Sequence, residues 1–298
     1  MRMKATSGCL KCGVEQAFNL LKRVSKDEEF LWNGLKRVME SLARAPYGLT
    51  PAQLAEYFYP ELSRFIGVKD PFEMEKKLYN DRALAIYDDL KRKVESMEDP
   101  LKMAGKLAIV GNSIDFGVPS FEGMDLENEI LKEAMKELMI DDFDDFMDEL
   151  KRARRLIYVL DNCGEVVFDK LFMELIKKKF PNLEMISAVR SAPIINDVTM
   201  KEALEIGLDE VSKVVNSGVE LPGLVLKRVN EDFRRIWRSS DLIISKGQGN
   251  FEGLEGLDDR RIFFFLKAKC DVVANYLGIP KGSLVLMRNV GHAKGDER

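Results

Sequence analysis

Leu156-Ile157-Tyr158-Val159-Leu160, running straight into Asp161-Asn162-Cys163-Gly164-Glu165, is the stretch that decides the fold. Five apolar residues in succession, without the alternation of a half-solvated strand, read as a strand buried on both faces of a mainly parallel sheet. The abrupt change to Asp, Asn and Gly marks its carboxyl end. Similar short runs recur at Leu107 to Val110, Leu183 to Val189, Glu210 to Val215, Asp241 to Ser245, Arg261 to Leu266 and Ser283 to Met287, with helical patterns between them. The expectation is a three-layer, Rossmann-like α/β domain over residues 101–298. Before it, Leu35, Val38, Met39 and Leu42, and then Leu78, Leu84, Ile86, Leu90 and Val94, recur at helical spacing. Thr50-Pro51 reads as an N-cap with a first-turn proline, and Asp99-Pro100 closes the series, so residues 1–100 read as an all-helical domain. Between the first two runs lies an acidic helical insertion, about 120–152, where Phe143, Phe146, Met147 and Leu150 form one face and Asp141, Asp142, Asp144, Asp145 and Asp148 the other. That acidic face reads as solvated rather than as a metal cluster.

Composition narrows the chemistry. The 298 residues carry 46 Lys+Arg against 50 Asp+Glu, a net charge of −4, and the single histidine, His292, falls in the C-terminal tail. A Ser-His-Asp triad or a multi-histidine metal site is therefore very hard to build. No apolar run is long enough to span a bilayer and the N-terminus lacks a signal-peptide stretch, so a cytoplasmic protein without membrane contact is expected. A pI near 5.5 speaks against general electrostatic binding of nucleic acid. Only three glutamines among many Lys and Glu is a bias of hot environments.

Each strand-like run is followed by polar, glycine-rich residues: Gly111-Asn112-Ser113, Asp161-Asn162, Arg190 with Asn196-Asp197, Asn216-Ser217-Gly218, and Lys246-Gly247-Gln248-Gly249-Asn250. The carboxyl ends of strands in an open α/β sheet converge on one crevice, so five such segments together point to a site. Asp161, Asn162 and Asp197 offer hard oxygen ligands suited to Mg²⁺ or Mn²⁺, although Asp161 reads equally well as the cap of the next helix. The Lys246 to Asn250 segment suits an anion as a cation beside free backbone N–H groups, and is explained equally well as a glycine-rich turn. Lys267 and Lys269 alternate so that both face one direction, and at least one is expected at the crevice. Cys9-x-x-Cys12 is half of a zinc site or a redox pair, without the second pair that a zinc site needs. Cys163 lacks the histidine partner of a nucleophile.

The set Gly-Asn-Ser-Ile-Asp (111–115), Asp-Asn-Cys-Gly-Glu (161–165) with Phe168-Asp169, Arg-x-x-Pro-x-x-Asn-Asp-Val-Thr (190–199), Lys-Gly-Gln-Gly-Asn-Phe-Glu (246–252) and Leu-Lys-Ala-Lys-Cys (266–270) resembles the damage-control phosphatases. These were first catalogued as domain of unknown function 89, and the resemblance, which extends to Cys9-x-x-Cys12, is to their stand-alone prokaryotic members. It implies a metal-dependent phosphatase of small phosphorylated metabolites, sugar phosphates or damaged cofactors, using Mn, Co, Ni or Mg. It further implies Asp161, Asn162 and Asp197 as metal ligands, Glu165 and Gln248 to Glu252 as substrate contacts, and Lys269 as a phosphate-binding lysine. With Lys246 among the catalytic groups, and Asn112, Arg190, Gly249 and Asn250 about the phosphate, these complete the candidate site. Two rival readings are an S-adenosylmethionine-dependent carboxyl methyltransferase, for which Gly111-Asn112-Ser113 is a poor donor loop, and a non-catalytic phosphometabolite sensor with an unidentified protein partner.

Overall fold

Thr50 and Pro51 start a helix as their chemistry requires: the Thr50 hydroxyl accepts from Gln53 N at 3.2 Å, and the Gln53 amide oxygen accepts from Thr50 N at 3.0 Å. In the computed structural model, which describes residues 2–111 and 126–290, three helices, α1 (Ser7–Val24), α2 (Glu28–Leu42) and α3 (Pro51–Ile66), enclose a core of Leu21, Leu31, Val38, Phe58 and Leu62. Helices α4 (Glu73–Ala85), α5 (Tyr87–Glu95) and α6 (Pro100–Val110) pack elsewhere. Their buried Ala83, Leu90, Val94, Ala104 and Leu107 join Phe146, Phe172 and Phe263 on one face of the sheet.

The α/β part continues as α7 (Leu126–Ala134), β1 (Leu138–Asp141), α8 (Phe143–Arg152), β2 (Arg155–Val159), α9 (Glu165–Lys179), β3 (Glu184–Val189), α10 (Met200–Glu205) and β4 (Lys213–Asn216). It ends with α11 (Glu231–Ser239), β5 (Leu242–Lys246), α12 (Gly247–Leu254), β6 (Ile262–Lys267), α13 (Asp271–Leu277) and β7 (Leu284–Arg288). The strand order is β1-β7-β6-β5-β2-β3-β4, parallel throughout except for the antiparallel β6–β7 pair. From β2 the chain winds outward through β3 and β4; from β5 it winds the other way through β6. The reversal lies between β2 and β5, and an open sheet leaves its ligand crevice at the carboxyl ends of the two strands flanking such a reversal. Asp161 follows β2 and Gly247 follows β5.

Leu107 to Val110 is the last turn of α6, not a strand. Asp99 caps that helix by accepting from Lys102 N at 3.0 Å, Pro100 opens it, and its apolar residues are buried all round because it lies between α9 and the sheet. A short apolar run cannot by its pattern distinguish a buried helix end from a buried strand. The converse occurs in the acidic stretch, where Leu138–Asp141 forms the edge strand β1 against β7, with alternate residues exposed. Phe143, Phe146 and Leu150 of α8 are buried, while Asp144, Asp145 and Asp148 face solvent. No described helix is long and apolar enough to cross a membrane.

Candidate active site

Two loops meet beyond β2 and β3. Asn162 and Asp197 form an isolated antiparallel bridge, Val198 N donates to Asp161 O at 2.8 Å, and Cys163 N donates to Asn196 O at 2.9 Å. Asp161 and Asp197, 36 residues apart in sequence, are thereby held on one wall. The Ile194–Asp197 segment is a tight turn closed by Asp197 N donating to Ile194 O at 3.0 Å, with Ile195 at φ 45°. That backbone region favours glycine, and a β-branched side chain there is strained. The compensating interaction is Ile194, buried in the α1–α3 core, with Ile195 packed beside it.

The wall belongs to a cavity of about 320 Å³. Asp161, Asn162, Asn196 and Asp197 line it from the first two loops, Gln248, Gly249 and Glu252 from α12, Lys269 and Cys270 from the end of β6, and Cys9, Cys12, Gln16 and Phe58 from α1 and α3. Gln248 is fixed on both sides, donating to Glu252 Oε1 at 2.9 Å and accepting from Lys269 N at 2.8 Å. Lys267 turns away to Glu133 at 2.9 Å, so of the two alternating lysines only Lys269 reaches the cavity. Gly249 is needed sterically: a Cβ there would sit 2.0 Å from Pro222 O, and one on the facing Gly223 would sit 2.3 Å from Gly249 O. Much of the glycine content of this segment thus serves close packing of α12 against residues 222–224.

Four candidates do not line this cavity. Lys246 is fully buried, and its three N–H donors are taken by Ala108 O at 2.6 Å, Asp169 Oδ1 at 2.6 Å and Glu165 Oε1. It has no donor left for a phosphate. Glu165, equally buried, is its partner, and Tyr158 OH donates to the same Asp169 oxygen at 2.7 Å. Arg190 lies beneath the wall, donating from Nε to Asp197 Oδ2 at 2.7 Å and from a terminal nitrogen to Asn250 Oδ1 at 2.8 Å, 3.7 Å from Asp161 Oδ1. Asn250 also accepts from Leu224 N at 2.7 Å and donates to Leu160 O and Lys246 O, which ties α12 to the ends of β2 and β5. Asn112 lies outside the described residues.

Sequence reasoning missed the support supplied by α4. Asn80 Oδ1 accepts from Gly164 N at 2.6 Å, and buried Lys76 pairs with Asp70 at 2.7 Å and with Glu202 at 3.0 Å. Glu202 in turn caps the helix after Asp197 by accepting from Thr199 N at 2.9 Å. The wall residues Cys9, Cys12, Gln16 and Phe58 were also missed as site residues, because nothing in a helical stretch reveals which face covers a sheet edge.

The electrostatics are those of crowded carboxylates. Burial pushes Asp197 up to about 7, helped by the neighbouring Asp161 charge and opposed by Arg190. Burial raises Glu252 to about 7 against the Gln248 hydrogen bond. It raises Glu165 to about 8 against Lys246, and it raises Asp169 as well. Burial disfavours the charge on Lys246, yet the two carboxylates outweigh it and hold this ammonium above its ordinary value. Burial also pushes the Cys163 thiol well up, which leaves it inert as a nucleophile.

Fold and site together define a doubly wound α/β enzyme whose oxygen-donor cluster sits at the sheet's reversal point under a helical roof. The Damage-control phosphatase ARMT1-like domain model matches residues 5–285, and the chain belongs to that family. It is 38% identical over 288 residues to a damage-control phosphatase of Pyrococcus horikoshii, covering 96% of this chain and 99% of the relative. A damage-control phosphatase of Archaeoglobus fulgidus is 31% identical over 288 residues, 95% of this chain and 98% of that one. The crystal structure of a DUF89 family protein from Pyrococcus horikoshii superposes with a TM-score of 0.90 at 37% identity, covering 97% of this chain and all of that one. The protein is a phosphatase acting on small phosphorylated metabolites.

Proposed function

We propose that this chain hydrolyses phosphomonoesters with a divalent ion, Mn²⁺, Co²⁺, Ni²⁺ or Mg²⁺, held by Asp161, Asn162 and Asp197. The observation that carries the reading is the Asn162–Asp197 bridge, which puts two carboxylates and one amide on the wall of a single cavity. The donor set fits such an ion: all three groups offer hard oxygen, and Asp197, raised first by burial and further by the Asp161 charge, would gain from a cation beside it. When bound, the ion supplies the Lewis acidity that neutralises phosphoryl oxygens.

The chain's own residues do the rest. Lys269, at the cavity mouth, takes a phosphoryl oxygen, and Gln248 with Glu252 receives hydroxyl groups of the organic portion. Water attacks phosphorus as the ester P–O bond breaks, and the alcohol leaves with a proton. Arg190 and Asn250 hold Asp197 and α12 in register; Lys246, Glu165 and Asp169 brace the ends of β2 and β5 from beneath. The methyltransferase alternative loses its expected loop, because residues 107–110 end a helix rather than a strand.

The test is Asp161→Asn and Asp197→Asn. Each variant should keep the fold by circular dichroism, lose metal-dependent turnover of p-nitrophenyl phosphate, and lose the rise in melting temperature that Mn²⁺ gives the unaltered protein. Turnover that survives in either variant sinks the assignment.

A further inference from the structure

Three of the chain's four cysteines, Cys9, Cys12 and Cys270, line the same 320 Å³ cavity, although they come from the two ends of the sequence. All are free thiols; Cys12 is exposed and Cys9 half-buried. Cys9 and Cys12 lie three residues apart in the first turns of α1, so their side chains share a face. The i, i+3 spacing of a helix falls within the Cα separation a disulfide spans, and a first turn tightens easily into 3₁₀ geometry.

Each sulfur already has a structural task. Cys9 Sγ accepts from Thr6 N at 3.4 Å and completes the N-terminal cap of α1. Cys12 Sγ accepts from the Gln16 amide at 3.2 Å, and Gln16 Oε1 accepts from Tyr59 OH at 2.9 Å. Burial raises the Tyr59 hydroxyl, with the Asp197 charge adding to it. Cys12 is thereby linked through Gln16 of α1 to Tyr59 of α3, and Cys9 to the start of α1, within the helical roof that lines the cavity with Asp161 and Asp197.

We propose that Cys9 and Cys12 form a reversible dithiol–disulfide pair whose oxidation rearranges the roof and weakens substrate binding. The activity part rests on the phosphatase reading; the thiol chemistry does not. The exposed Cys12 thiolate attacks one sulfur of a low-molecular-weight disulfide such as oxidised glutathione, expelling one thiolate and forming a mixed disulfide. The Cys9 thiolate then attacks the Cys12 sulfur and expels the second. Two protein thiols have lost two protons and two electrons, and the small disulfide has become two thiols. The new bond takes both acceptors away: Thr6 N loses its cap partner and Gln16 loses Cys12 Sγ, so the first turn of α1 and the Gln16–Tyr59 pair shift together. Partial burial raises the Cys12 thiol, with the Gln16 hydrogen bond opposing, so the pair oxidises slowly. The ligands Asp161, Asn162 and Asp197 lie on other elements and keep their places.

The experiment treats full-length protein with oxidised glutathione and counts alkylatable thiols by intact mass and peptide mapping. In parallel, Mn²⁺ affinity and p-nitrophenyl phosphate kinetics are measured. The expected result is loss of two thiols mapped to a Cys9–Cys12 link without added glutathione mass, a several-fold rise in KM, unchanged Mn²⁺ affinity, and reversal by dithiothreitol. Cys12→Ser should show no KM response to the oxidant, while Cys163→Ala should respond as the unaltered protein does. Four thiols still alkylatable, a Cys12–Cys270 link in place of Cys9–Cys12, or a Cys9–Cys12 link with unchanged KM would each overturn the proposal. A reduced protein without turnover under any metal refutes the phosphatase reading instead, and the thiol count still decides the disulfide.

Discussion

Replacing Arg190 by Met removes the guanidinium beneath the Asp161–Asp197 wall while keeping most of its volume. The side chain is 1% exposed and its partner carboxylate on Asp197 is 4% exposed, so solvent cannot substitute for the lost charge. Breaking such a buried pair from one side costs about 3–5 kcal/mol. For a chain of this size each kcal/mol lowers the melting temperature by roughly 2–4 °C, so the variant should melt about 6–20 °C lower by differential scanning calorimetry. Asn250 keeps Leu224 N as a donor, so α12 stays attached and the variant remains folded at 25 °C. Arg190→Lys separates charge from geometry: an ammonium can reach Asp197 or Asn250 but cannot bridge both as the planar fork does. It should recover part of the stability and little of the turnover. A melting temperature within 2 °C of the unaltered protein for Arg190→Met, or unchanged turnover in either variant, refutes Arg190 as the group that holds Asp197.

Glu165, raised to about 8, binds a proton in the folded state that the unfolded chain releases at ordinary carboxylate pH, so its burial destabilises increasingly as pH climbs from about 4.5 to 8. Glu165→Gln removes that titration, and its melting temperature relative to the unaltered protein should rise across this window and level off above it; a constant difference would contradict the raised Glu165 carboxyl. Gly249→Ala forces a methyl against Pro222 O, and overpacking of this kind costs about 1–3 kcal/mol. Because Gln248 moves with it, KM should rise as well; an alanine variant with unchanged stability and KM would show that the close approach does not matter. Asn80→Ala leaves the buried Gly164 N without its acceptor, a loss of about 1–3 kcal/mol measurable by urea denaturation, and turnover should fall because the Asp161-Asn162 turn loosens.

The sheet was legible because a strand buried on both faces leaves a continuous apolar run: β2, β3, β5, β6 and β7 fall within a residue or two of the runs that announce them. The exceptions follow from the same physics. Leu107 to Val110 is apolar because a helix sandwiched between layers is buried on all sides, and Leu138–Asp141 is inconspicuous because an edge strand buries only alternate residues. At the site, the turn residues after β2 and β3 were readable. Whether a charged residue beside them faces the cavity or the interior was not, since Lys246 ends β5 and Lys269 follows β6, both in glycine- or alanine-containing sequence, and they differ in three-dimensional partners. Lys76 and Asn80 could not be read as support for the site, because the partners that tie them to it, Glu202 and Gly164, lie 126 and 84 residues away.

The sequence suggested a crevice rich in lysine and backbone N–H, prepared for an anion. The assembled structure has the opposite local balance. Asp161, Glu165, Asp169, Asp197 and Glu252 gather around the carboxyl ends of β2 and β5, against Arg190 and Lys246 beneath them and Lys269 at the mouth. With all ionised, five negative charges face three positive ones. Arg190 and Lys246 are engaged with carboxylates beneath the wall, so a phosphate dianion entering the cavity meets Asp161 and Asp197 on one side and Lys269 on another. Burial first raises the carboxyls of Asp197, Glu252 and Glu165, and the neighbouring Asp161 charge adds to it. In the proposed mechanism a divalent ion on the Asp161–Asp197 wall would offset that charge beside the phosphoryl group, and holding it needs no imidazole. The proposed divalent ion fits this carboxylate-rich wall, and turnover that survives removal of metal by a chelator would refute it.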